Sequence, residues 1–222
     1  MNIPKLIILS NKSHPLYDKA KELPFTFYDL EEDDPFEGKE SRYREAELVI
    51  DLTLMPKEKK QKLLDIIAVQ FAAPVVSDLS CFWGNNFIQK YSKCCGAIAL
   101  CFWSPQKKYE YFAEDEAVSK LIETFLNSLN FKGHRVSEAG HGFIYPRTIS
   151  MLINEALYAQ QDELADAESL DIAMKYGVNY PLGLVEWYKK IGPLPILTLL
   201  DDLYYVTKDK RYAACPILRF GQ

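Results

Sequence analysis

The feature that most constrains this chain is a change of periodicity at Gly140 to Gly142. Upstream, short apolar runs alternate with charged stretches of helical spacing. The series is Lys5 to Leu9, a helix-like segment to Leu23, Phe25 to Tyr28, then Leu48 to Leu52. It continues with a helix from about Pro56 to Phe71, a strand Ala73 to Val76, a helix near Asn85 to Tyr91 and a strand Ala97 to Trp103. Such alternation implies βαβ units and a mostly parallel sheet. Downstream, Ile149, Leu152, Ile153 and Ala156 recur at helical spacing and no alternating run follows. Further helices are expected at Ala167 to Tyr176, ended by Gly177, at Leu182 to Ile191, ended by Gly192, and at Leu194 to Val206. The expected architecture is an α/β domain over residues 1–140 followed by an all-α domain over residues 141–222.

Composition narrows the class. With 48% apolar, 13% aromatic and 26% charged residues, the chain matches ordinary globular enzymes and neither a disordered nor a disulfide-scaffold protein. Its longest apolar run, Ala97 to Trp103, is too short to span a bilayer, and the N-terminus turns polar too soon for a secretory signal, so no membrane partner is expected. A net charge of −5, with no basic block beyond the mixed stretch Lys57 to Lys62, argues against nucleic acid as a partner. The five cysteines include an adjacent pair, Cys94 and Cys95, and the three histidines are widely separated. Neither a disulfide framework nor a metal motif is expected, and the chain reads as reduced and cytoplasmic.

Several pieces of the helical half occur together in a fixed order. They are Gly142, Phe143 and Ile144 before Arg147; Asn154, Glu155 and Ala156; Asp171 to Gly177; Tyr180 to Gly183; and Arg211 and Tyr212 ahead of Pro216 to Arg219. In this order they resemble the C-terminal domain of the NAD-dependent 3-hydroxyacyl-CoA dehydrogenases, over about 80 residues, with a weaker extension through Ala46 to Pro105. The resemblance implies a Rossmann-like N-terminal domain, a helical domain that forms a homodimer, and an acyl-CoA-like small molecule as ligand.

The residues that would carry the family's chemistry depart from its pattern. A dinucleotide fold needs glycines in the turn after its first strand, so that the backbone can touch the diphosphate. Here that loop is Ser10 to Pro15, and the first glycine in the chain is Gly38. The residues left to bind a cofactor are Ser10, Asn11 and Ser13, the last as a helix cap, with Lys12 adding charge and Asp29 placed for a ribose. Asp29 also reads as part of a solvated acidic loop with Glu31 to Asp34. In the run that holds the family's histidine base, Cys101 stands in its place, ahead of Pro105. A thiol has an unperturbed pKa of about 8.5 and cannot accept a proton at one atom while being held through another. Burial is expected to raise the Cys101 pKa further, since Leu100 and Phe102 flank it. Glu110 is the nearest orienting carboxylate, with surface charge as its plainer reading, and Ser80 keeps the serine of the family's strand-end run. Pro146 replaces the family's substrate-contacting asparagine and suits the first turn of a helix. The segment Tyr28 to Leu48, acidic and carrying Pro35 and Gly38, is too short for the family's coenzyme A arm.

The expected protein is thus a degenerate Rossmann-like sheet domain joined to a dimerisation domain. Its positional catalytic equivalents are Ser80, Cys101 and Glu110, and no cofactor is expected, or NAD if any. Its role is that of a dimeric binding or regulatory protein of hydroxyacyl-CoA and fatty-acid metabolism. The alternative is an enzyme with a rebuilt site, in which Cys101 acts as a thiolate.

Overall fold

The computed structural model describes residues 4–32 and 45–221; Asp33, Asp34, Pro35 and Gly38 lie outside the described residues. Seven strands form one sheet: β1 (Leu6–Ser10), β2 (Thr26–Asp29), β3 (Leu48–Leu52), β4 (Val75–Asp78), β5 (Cys94–Ile98), β6 (Lys108–Ala113) and β7 (Lys132–Arg135). Their order is β2-β1-β3-β4-β5-β6-β7. Every neighbouring pair is parallel except β5 with β6. The expected α/β architecture with a mostly parallel Rossmann-like sheet is therefore present.

Both faces of the sheet are covered, which is why β1 and β3 are buried at every position and apolar apart from Ser10 and Asp51. On one face, Ile8, Leu48, Ile50, Val76 and Ile98 pack with Ala20 of α1 (Tyr17–Lys21) and with Ile122 and Phe125 of α4 (Glu116–Ser128). The other face joins Ile7, Leu9 and Val49 to Leu63, Leu64 and Ile67 of α2 (Lys57–Gln70) and Phe87 of α3 (Gly84–Lys90). That second cluster runs on without a break into the C-terminal helices, through Ile153, Leu199 and Leu203.

Two strand readings need correction. The apolar run Ala97 to Trp103 is strand only up to Ile98; beyond it the chain leaves the sheet, because the Leu100 and Cys101 amides are taken by the side chains of Asp78 (3.0 Å) and Ser80 (3.3 Å). The strand read as Ala73 to Val76 lies at Val75–Asp78, so Asp78 closes it. Between Trp103 and Gly140, where the sequence reading assigns no element, lie β6, α4 and β7.

In the helical half, α5 (Tyr145–Gln161) starts with Pro146 in its first turn, as its fixed φ suits. Then follow α6 (Ala167–Ile172), a π-helical turn Ala173–Gly177, α7 (Leu184–Ile191), α8 (Pro193–Thr207), a 3-10 turn Lys210–Tyr212 and α9 (Pro216–Phe220). The pieces that recur in order have a shared structural cause. The Asp171 carboxylate accepts the Val185 (2.8 Å) and Glu186 (3.2 Å) amides and so satisfies the first turn of α7. Gly183 is required because a Cβ there would collide with the Asp171 carboxylate. Glu186 returns to the Gly183 amide at 3.1 Å and pairs with Lys175 at 2.7 Å. Gly142 has φ +74°, and a Cβ on it would run into Leu199 of α8.

Candidate functional site

In parallel sheets ligands bind outside the carboxyl ends of the strands. Here those ends carry a closed polar cluster. Asp78, at the end of β4, accepts the Ser80 amide at 2.9 Å and the Ser80 hydroxyl on Oδ1. Its Oδ2 accepts the Leu100 amide (3.0 Å), His14 Nε2 (3.1 Å) and Cys101 Sγ (3.5 Å). His14, Asp78, Ser80 and Cys101 are all fully or almost fully buried, at 2% exposure or less. Burial pushes the Cys101 thiol well above its ordinary value, and hydrogen bonding to Cys81 and the charge on Asp78 add to this. Burial alone would raise the Asp78 carboxyl too, but hydrogen bonds from His14 and Ser80 hold it below the usual range. His14 is disfavoured as a cation by burial, yet Cys101 and Asp78 raise it to about 9. The Leu16 amide, 3.2 Å from Nδ1, pulls the other way, since it needs that nitrogen unprotonated.

The donor atoms of His14, Asp78 and Cys101 lie within 4.8 Å of one another, as in a metal site. A metal on Nε2 would leave the proton on Nδ1, facing the Leu16 N–H. The neutral ring fits its neighbours without a metal, with Nε2–H donating to Asp78 and Nδ1 accepting from Leu16; below the raised pKa a second ring proton must displace that Leu16 contact.

The residues expected to hold a cofactor are otherwise engaged. Ser10 donates to the Leu52 carbonyl at 2.8 Å. The Asn11 carboxamide donates to the Leu54 carbonyl (2.9 Å) and accepts the Leu54 amide (3.0 Å), stitching the β1 loop to the β3 loop. Ser13 is not a helix cap: α1 is five residues long, opens at Leu16 without a side-chain cap, and leaves Ser13 exposed beside a cavity. Asp29 is not solvated but buried, accepting the Tyr17 hydroxyl (2.6 Å) and the Glu31 amide (2.9 Å). Lys12 pairs with Glu32 at 2.6 Å. These residues do not fit a dinucleotide: no position from Ser10 to Pro15 is a glycine, so side chains keep a diphosphate off the backbone, and Asn11 is committed to Leu54.

Ser80 and Cys101 come together, but Glu110 does not join them. Its carboxylate accepts the Ile144 (3.1 Å) and Tyr145 (2.9 Å) amides and so serves the first turn of α5 rather than standing as a surface charge. His14 and Asp78 were not singled out in the sequence. A histidine in the loop after the first strand and an aspartate closing another are the available signal, since both must project at the carboxyl edge.

A second polar knot ties the halves together. Asp202 of α8 accepts Lys57 Nζ (2.6 Å), His141 Nε2 (2.9 Å) and the Trp83 amide (3.2 Å). Burial would raise its carboxyl, and hydrogen bonds from His141 and Lys57 hold it low. Beside it, a cavity of about 420 Å³ opens between Ser13, Lys57, Glu58, Phe82, Asp201 and Tyr205.

The family profile described as 3-hydroxyacyl-CoA dehydrogenase, C-terminal domain, matches residues 142–220. The 3-hydroxyadipyl-CoA dehydrogenase of Escherichia coli is 42% identical over 78 residues, covering 35% of this chain and 16% of that protein. Residues 142–220 thus belong with the C-terminal domain of the 3-hydroxyacyl-CoA dehydrogenases. A 3-hydroxybutyryl-CoA dehydrogenase of Bradyrhizobium diazoefficiens is 29% identical over 182 residues, covering 78% of this chain and 62% of that enzyme. The chain thus spans less than two thirds of the length of either relative. The fold extends further than the sequence match. An (S)-3-hydroxybutyryl-CoA dehydrogenase, PaaH1 from Ralstonia eutropha, superposes with TM-score 0.68 at 15% identity, covering 98% of this chain and 93% of that one. FadB2 of M. tuberculosis gives 0.70 at 14% identity, covering 99% and 93%.

Proposed function

We propose that this chain is a catalytically silent member of the 3-hydroxyacyl-CoA dehydrogenase family that works as a dimeric binding or regulatory protein in hydroxyacyl-CoA and fatty-acid metabolism. The observation that carries this reading is the β1 loop: it holds no glycine, and its Asn11 is buried and committed by two hydrogen bonds to Leu54. Charge supports it. The cavity beside that loop is lined by Glu58, Asp201 and Asp202, and its cation, Lys57, is already paired. A diphosphate there would meet repulsion. The chemistry supports it as well, since the thiol that replaces the base is buried, raised in pKa and turned toward Asp78. Loss of a general base costs about 10² to 10⁴ in rate, or roughly 3–5 kcal/mol of barrier.

Titration of the purified protein with NAD, NADH and acetyl-CoA, alongside an assay of NADH oxidation with acetoacetyl-CoA, tests the reading. No turnover is expected. Turnover abolished by Ser80→Ala would overturn it. Dimerisation rests on the helical half, where Trp187 is buried and Tyr204 and Tyr205 are exposed. Light scattering should give twice the chain mass. Among the described residues no helix is long and apolar enough to cross a membrane, and a cytoplasmic location is part of the proposal.

A second reading, a rebuilt thiol enzyme, is favoured by one observation: His14 supplies the basic group beside Cys101 that the local sequence lacks. Alkylation of native Cys101 by iodoacetamide at pH 6 would support it, and absence of labelling there removes it.

A further inference from the structure

The β6–β7 edge carries a charge arrangement that the silent-enzyme reading does not use. In the parallel register Lys108 lies opposite Lys132 and Glu110 opposite His134, so all four side chains project to one face of the sheet. That face looks toward the helical half, because Glu110 reaches the first amides of α5. Like charges directly opposite each other are destabilising. Among the described residues, Lys108, Lys132 and His134 have no carboxylate partner, and Glu110 is spoken for by two backbone amides. In a chain of net charge −5, this edge thus sets two lysine charges against the single carboxylate of Glu110.

Behind this edge lies a cavity of about 380 Å³, walled by Tyr145, Tyr180 and Trp187. Its walls are fixed. Trp187 Nε1 donates to the Tyr145 hydroxyl (2.8 Å), which donates to the Trp103 carbonyl (2.7 Å), and the Tyr180 ring meets Trp187 edge to face, with centroids 6.2 Å apart. Those hydrogen bonds use the polar atoms of Tyr145 and Trp187, so these walls offer ring surface rather than donors. The volume falls within the range of small-molecule sites.

We infer that this cavity binds an aromatic carboxylate, with its ring against Tyr145, Tyr180 and Trp187 and its anionic group at Lys108 and His134. Ring surface supplies the apolar contact, the unpaired Lys108 supplies the demand for charge, and the His134 ring offers a hydrogen bond that helps orient the group. The site is separate from the Asp78 cluster; of the three positional catalytic equivalents it contains Glu110 alone, and it takes Tyr180 from the pieces that carry the resemblance.

Calorimetric titration of the full-length protein with 4-phenylbutyrate, and with its uncharged amide, tests the assignment. One saturable site is expected for the acid, with roughly tenfold weaker binding of the amide and of the acid by Lys108→Glu, since that exposed change replaces attraction by repulsion. Tyr180→Ala should weaken acid and amide alike, while Lys62→Glu on α2 leaves both unchanged. No saturable binding to protein shown folded by circular dichroism, equal affinity for acid and amide, or binding indifferent to both Lys108→Glu and Tyr180→Ala overturns the assignment. Turnover of acetoacetyl-CoA, by contrast, would sink only the silent-enzyme reading and leave this result standing.

Discussion

The strand-end loops and the helical half have diverged from the family in opposite ways. In the helical half each family piece is tied to another by backbone geometry: Asp171 caps α7, Gly183 makes room for Asp171, and Glu186 closes back on Gly183. Replacing one member exposes or collides with the rest. At the strand ends, the residues a cofactor would need have given way to side chains that satisfy one another, with Asn11 on Leu54 and His14 and Cys101 on Asp78. Packing constrains a residue whether or not a ligand is ever bound, whereas a cofactor loop is constrained only while it binds.

The largest effect that sharpens this contrast should come from the sheet half. Lys60 and Asp51 form a fully buried ion pair at 2.7 Å, with Ser77 donating to Asp51 at 2.6 Å. Lys60→Met should cost about 3–5 kcal/mol in urea unfolding, because it leaves a buried carboxylate uncompensated. A loss below about 1 kcal/mol would mean that these networks are incidental.

Next comes pH. His14 is raised from 6.5 to about 9 in the folded protein. A group with a raised folded-state value stabilises fully below its unfolded pKa and loses that contribution as pH rises through the folded one. Stability should therefore fall as pH rises between about 6.5 and 9, and His14→Gln should flatten the slope. A flat wild-type profile would show that the Leu16 amide keeps His14 neutral. On the acid side the sign reverses: Asp78 and Asp202 are held low, so what they contribute is lost as pH falls through their folded values.

In the helical half, Gly183→Ala should cost about 1–3 kcal/mol through the collision with Asp171, and Asp171→Ala in the same chain should recover part of it. The smallest effect belongs to Lys12→Ala in the β1 loop. Its pair with Glu32 is exposed on both sides, so no resolvable shift in the thermal unfolding midpoint is expected. A resolvable loss would mean that the loop is organised by Lys12 rather than by Asn11.

The βαβ series was legible because buried parallel strands are continuous apolar runs and helices repeat every three to four residues. β6 carried a signal that went unread, the alternation of Lys108, Glu110 and Phe112 with Tyr109, Tyr111 and Ala113, whereas β7, Lys132 to Arg135, is polar throughout and holds its place by pairing with β6. Ala97 to Trp103 misled because burial, which sequence reports, is shared by strand and buried loop, while hydrogen bonding distinguishes them. The site was half legible. The missing glycines and Cys101 are visible as residue types, but the surface reading of Glu110 and the solvated reading of Asp29 both failed, because a carboxylate's partners come from elsewhere in the chain.

Residue order alone determined the sheet-then-helix architecture, the family of the helical half, and the departures from that family at the β1 loop and at Cys101. These are local properties: apolar period, turn chemistry, and which atoms a side chain possesses. Tertiary structure alone decided that His14, 64 positions before Asp78, would meet it at 3.1 Å, and that Lys108, His134 and Trp187 would share one cavity. Hydrogen bonds and fields act over a few ångströms of space, and only the folded chain sets which residues fall within that distance.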